Sequence, residues 1–79
     1  MGETKYPFES HDEETLERNF THHPPKGDQL ERYEEIRAVA KTLAFLIWGD
    51  CPMSRERSLA LTNLEEAVMW ANAAIARNE

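Results

Sequence analysis

Seventy-nine residues make at most one small domain, whose core supplies on the order of a few kcal/mol of net stability, so a chain of this size leans on disulfides, metals or self-association. The single cysteine, Cys51, rules out an intrachain disulfide and fits a reducing cytoplasm, and no run approaches the roughly 20 apolar residues that span a bilayer. The net charge of −6 speaks against long nucleic acid, which needs a basic face, while leaving room for a small anion held by a few placed cations.

That charge is unevenly spread. Residues 1–35 carry four basic side chains against ten acidic ones, and residues 36–79 carry five of each. The chain reads as one domain, 1–79, and as all-α. Residues 1–9 hold Pro7 and two aromatics, Tyr6 and Phe8, without any period, and read as an extended arm rather than a signal peptide. The aromatics either pack on a neighbour or stay loose, as chain termini commonly do. A short helix is predicted over 10–19. Ser10 with Glu13 has capping-box spacing, acidic residues fill the first turn, and Leu16 and Phe20 are expected to face inward. Phe20 to Gly27 is a loop, because Pro24 and Pro25 forbid helix and Pro24 holds His23 extended.

The first long helix is predicted over 28–48, with Asp28 and Glu31 as a second capping box. Tyr33, Ile36, Ala40, Leu43 and Ile47 repeat at three-four spacing. Gly49 to Met53 is the turn, with Gly49 as the helix-ending residue, Pro52 as the block and Ser54 as the next cap. The second long helix is predicted over 54–77. It carries two apolar rows, Leu61, Leu64, Val68, Ala71, Ile75 and Ala60, Ala67, Trp70, Ala74. Together they cover more than half of the cylinder, whereas a surface helix needs a stripe only about 100° wide. Two matched helices joined by about five residues form an antiparallel hairpin. Two helices cannot bury rows this wide against each other, so the hairpin is expected to assemble with copies of itself.

Two constellations can carry chemistry. Arg55 and Arg57 fall in the first turn of a helix capped by Ser54, where the dipole disfavours cations by about 0.3–1 kcal/mol each. Either a bound anion offsets that cost, or the arginines pair with Glu56, Asp50 or acids of another chain. The loop and helix from Phe20 to Arg37 offer the rings of Phe20, His22, His23 and Tyr33 beside Lys26, Arg32 and Arg37. Rings that stack and cations that hold phosphate suit a nucleotide. The other reading makes Phe20 and Tyr33 core and pairs the cations with Glu31, Glu34 and Glu35. Asn72 and Thr62, polar residues on an apolar helix, either fix register in an oligomer seam or touch ligand. His11, His22 and His23 with Asp12 and Asp28 match no metal-ligand spacing, and Cys51 has no histidine at a nucleophile's spacing. No catalytic residue, metal or cofactor is expected.

A family resemblance rests on specific residues. Phe20 with His23-Pro24, Gln29, Arg32-Tyr33 leading to Ile36-Arg37, Cys51-Pro52 with Ser54-Arg55-Glu56, Thr62, Leu64-Glu65-Glu66 and the closing run Trp70 to Arg77 resemble the phage anti-CBASS sponge family. That family shares its helical-hairpin domain with a phage anti-Thoeris sponge. The resemblance implies a non-enzymatic trap in the cytoplasm of the infected bacterial host. It would be a homo-oligomer, a hexamer in this family, that sequesters cyclic dinucleotides such as 3′,3′-cGAMP and cyclic trinucleotides such as cyclic tri-adenylate, and so blocks CBASS effectors. Carried onto this chain, it assigns cyclic dinucleotide binding to Phe20, His23, Lys26, Tyr33 and Arg37, with Tyr6 or Phe8 closing the pocket. It assigns cyclic trinucleotide binding to Ser54, Arg55, Arg57 and Thr62. No long nucleic acid and no membrane is implied as a partner. From the residues alone, the first reading is instead an acidic helical oligomer acting as a protein–protein interaction module.

Overall fold

A computed structural model describes residues 5–7 and 9–79. Three helices follow in order: α1 (Ser10–Phe20), α2 (Gln29–Asp50) and α3 (Arg55–Asn78). The two long ones form an antiparallel hairpin. Its open end is tied by Arg32, near the start of α2, which donates to the Glu79 carboxylate through both terminal guanidinium nitrogens, one bond measuring 2.8 Å. Arg32 also bonds Asp28 Oδ1 at 3.1 Å. Gln29 is the one buried residue among those described; its amide donates to Glu79 at 3.2 Å and accepts from the Lys26 backbone at 3.1 Å. This arrangement holds Arg32 above its usual pKa and pulls the Glu79 carboxyl down to about 2, chiefly through the Arg32 hydrogen bond.

The loop end is closed by Arg57. Its guanidinium donates to the carbonyls of Trp48 (3.1 Å) and Cys51 (3.4 Å) and lies 4.2 Å from the Trp48 ring centre. A cation thus sits at the C-terminal end of α2, where free carbonyls and the helix dipole favour it. Ser54 caps α3 by accepting from the Arg57 N–H at 3.1 Å.

Four local expectations are corrected. The box that starts α1 is Glu9 with Asp12, not Ser10 with Glu13. Asp28 makes no cap bond, because its carboxylate is engaged by Arg32 one turn on. Gly49 lies within α2 and does not adopt a left-handed conformation; the helix runs to Asp50 and stops because Pro52 holds Cys51 extended, at φ −113° and ψ 140°. Leu16 and Phe20 face outward, Phe20 with 84% of its surface exposed, while Asp12, Thr15 and Asn19 are the half-buried side of α1.

The hairpin has no closed core. The row Leu61, Leu64, Val68, Ala71 and Ile75 is half-buried against α2, whereas Ala60, Ala67, Trp70 and Ala74 remain exposed. No apolar side chain among the described residues is buried. The accessible surface is 6843 Å², against about 4,900 Å² expected for a folded monomer of this mass. The radius of gyration is 17.7 Å, against about 12 Å for a compact domain of this length.

Candidate functional site

The same helices line two grooves that share no residue. The first is an apolar channel of about 660 Å³ between α2 and α3, walled by Val39, Ala40 and Leu43 on one side and Leu64, Ala67 and Val68 on the other. The second, of about 430 Å³, opens towards the open end of the hairpin. There α2 contributes Tyr33 and Arg37, α3 contributes Asn72, Ala73, Ala76 and Arg77, and the end of α1 with its loop contributes Asn19, Thr21, His22 and His23.

The electrostatics of this second groove run against the rest of the chain. The sequence carries 15 acidic residues, yet none lines it, while two arginines and two histidines do. Neither Arg37 nor Arg77 is ion-paired among the described residues. Arg77 leans towards the Trp70 ring, 6.0 Å from its centre, and the Trp70 indole donates to Glu66 at 3.2 Å. His23 anchors the α1 wall. Its Nε2 meets the Arg18 carbonyl at 2.6 Å, and since a carbonyl only accepts, Nε2 carries the proton. The alanines at 73 and 76 leave room between the polar side chains. Asn72 is half-buried, and its Oδ1 is buried without a hydrogen-bond partner. An orphaned buried acceptor costs about 1–3 kcal/mol. Guanidinium forks on two walls suit phosphate oxygens, and the Tyr33 ring suits a stacked base.

Of the residues assigned to dinucleotide binding, His23, Tyr33 and Arg37 come together in this groove. Phe20 instead lies on the open flank of α1. Lys26 lies outside the lining, and its charge adds to the attraction on the Glu79 carboxylate. Tyr6 is largely exposed, with the Lys5 ammonium 5.6 Å from its ring centre, and Phe8 lies outside the described residues. Asn72 and Arg77 were not assigned to this site by the sequence, although both belong to the Trp70 to Arg77 run. Their spacing of five residues is the available signal, but it leaves open which side of α3 meets α1.

The second set is not one cluster in a single chain. Ser54 Oγ is committed to the α3 cap and to the Pro52 carbonyl at 2.9 Å. Arg57 turns back over α2, so only Arg55 remains exposed at the α3 start. Thr62 is exposed two turns further on, about 10 Å along the axis. Among the described residues, no three His, Cys, Asp or Glu side chains gather as a metal site would need, and no helix is long and apolar enough to cross a membrane.

Fold and groove together define a small helical-hairpin protein with an acid-free, doubly cationic groove. The family model for the Acb2/Tad1 hairpin domain matches residues 12–76, which is 65 of the 79 residues, and the chain belongs to this family of anti-CBASS and anti-Thoeris sponges. It is a family of nucleotide-binding, anti-defence proteins and not a known enzyme family. No curated protein and no solved structure matches the chain.

Proposed function

We propose that this protein is a phage anti-defence sponge that binds cyclic oligonucleotide immune signals and holds them uncleaved in the cytoplasm of the infected bacterium, so that CBASS effectors are not activated. The observation that carries this reading is the acid-free groove with Arg37 and Arg77 facing it in a chain of net charge −6. A cyclic dinucleotide such as 3′,3′-cGAMP places its phosphates on the arginines and a base on Tyr33, with His23 beside it.

The working form is a homo-oligomer, a hexamer by family resemblance. The excess exposed surface of about 1,900 Å² supports this, since one standard contact covers about 800 Å² per partner. The apolar channel around Val39 and Leu43 is the face that receives a second copy. Phe20, Lys26 and Tyr6, which lie outside their own chain's groove, complete a neighbour's, with Phe8 on the same arm. Cyclic trinucleotides occupy a separate site built by symmetry from Ser54, Arg55 and Thr62 of several copies. Arg57 supports that site by fixing the loop.

Calorimetry with 3′,3′-cGAMP tests this. The wild type should bind, and Arg37→Ala should lose roughly tenfold or more in affinity, the worth of one charge-assisted contact. Equal affinity of the two proteins would refute the groove as the site.

One feature favours a second reading. The exposed Leu16 and Phe20 on the acidic α1 suit a basic, apolar protein partner. That interaction module would take up no cyclic nucleotide.

A further inference from the structure

The proposed function leaves one group in the groove unexplained. Asn72 Oδ1 is buried, faces no donor within bonding distance, and sits in a site whose other polar side chains are mainly donors. Arg37 and Arg77, which only donate, call for acceptors, which phosphate oxygens supply. Asn72 calls for the opposite, an N–H or O–H brought from outside. Helix α3 cannot provide it, because the backbone N–H groups of its interior are already bonded within the helix. Asn78, by contrast, shows how an asparagine on this helix is satisfied locally, its amide donating to the Ala74 carbonyl at 2.9 Å. Asn72 makes no such bond among the described residues, although it lies on the same helix.

The position of Asn72 matters as much as its chemistry. It stands five residues from Arg77, about 7.5 Å along the axis, and lines the groove together with Tyr33 and Arg37.

We propose that Asn72 is a specificity-determining residue of this groove, which reads an N–H donor on the edge of a nucleobase. The inference rests on the cyclic-nucleotide reading above and deepens it. The ligand class narrows from any phosphorylated anion to a nucleotide whose base carries an amino or imino donor. In the free protein the amide carbonyl is covered and unpaired; half a turn about its terminal torsion brings it to the arriving base and puts the amide N–H2 in its former place. A base donor then pairs with the carbonyl, whereas a bare anion brings only acceptors and gains nothing from it.

The test is the near-isosteric Asn72→Leu, measured beside the wild type and Arg37→Ala by calorimetry with two probes, 3′,3′-cGAMP and inorganic pyrophosphate, together with a thermal melt of each protein. Asn72→Leu should melt no lower than the wild type, because it removes an orphaned polar atom. It should lose at least about tenfold in affinity for 3′,3′-cGAMP while binding pyrophosphate unchanged. Arg37→Ala should weaken both probes. Asn72→Leu that melts normally and binds 3′,3′-cGAMP like the wild type overturns the assignment alone. A wild type that takes up no 3′,3′-cGAMP overturns the proposed function and this assignment with it. Should Asn72→Leu fold poorly, Asn72→Ala takes its place: it must lose affinity for 3′,3′-cGAMP while binding pyrophosphate unchanged, and an Asn72→Ala protein that binds 3′,3′-cGAMP like the wild type overturns the assignment.

Discussion

Replacing Val39 by glutamate separates folding of the hairpin from its assembly. Val39 lines the apolar channel and keeps 67% of its surface exposed in one chain. Changes at sites this exposed shift the stability of a chain by about 0.5 kcal/mol or less. In an oligomer sealed through this channel, the sum is different. Burying a whole valine side chain is worth about 1.5–3 kcal/mol, so covering the remaining two-thirds gains about 1–2 kcal/mol per copy. An unpaired glutamate placed there forfeits that gain and adds several kcal/mol of desolvation. Each 1.4 kcal/mol is a factor of ten, so association should weaken by roughly a hundredfold at least. Sedimentation velocity over a range of concentrations reads this directly, with Asn63→Glu, at another exposed helical position, as the charge control. Val39→Glu should sediment as a smaller species at concentrations where the wild type and the control are assembled. A Val39→Glu protein that sediments like the wild type would refute the channel as the seam.

Two further outcomes follow from the two ends of the hairpin. Arg57→Ala removes two bonds to backbone carbonyls and the stacking on Trp48, and should cost about 1–2 kcal/mol, seen as a lower denaturation midpoint; Arg57→Lys should recover part of this, because both bonds come from one nitrogen and an ammonium can make them, without the planar stacking on Trp48. At the open end, Glu79 has a folded pKa of about 2 against an ordinary value of 4.5, so its contribution is present in full above about pH 4.5 and is lost as pH falls towards 2. The melting temperature should therefore fall across that window, and Glu79→Gln should start lower at neutral pH and lose less on acidification. An unchanged acid profile in Glu79→Gln would show that the clasp with Arg32 does not hold the hairpin in solution.

The long helices were legible because three-four spacing of apolar residues reports a helical face directly, and the row Leu61 to Ile75 does lie against α2. Their ends were less so. A capping residue is chosen by competition among neighbouring side chains, and spacing does not show that Arg32 will take the Asp28 carboxylate or that Glu9 will displace Ser10. Gly49 allows a helix to end without requiring it; Pro52 sets the stop, two residues beyond Asp50. The groove was half legible. Tyr33, Arg37 and His23 have the right chemistry at a proline-broken loop. Asn72 and Arg77 join them only because the end of α1 and its loop come to lie beside the C-terminal part of α3, a tertiary choice that periodicity does not encode. Arg57 shows the same limit: its place in the first turn of α3 suggests an anion, whereas in the single chain its guanidinium donates to the carbonyls that end α2.

The most direct measurement is capture and release. The purified protein is incubated with 3′,3′-cGAMP or cyclic tri-adenylate and filtered to remove free ligand, then denatured, and the released material is chromatographed. A sponge returns the intact cyclic nucleotide in fixed proportion to the chain. Linear products would contradict sequestration without cleavage, and no retained nucleotide of either kind would contradict nucleotide binding and favour the protein-binding module.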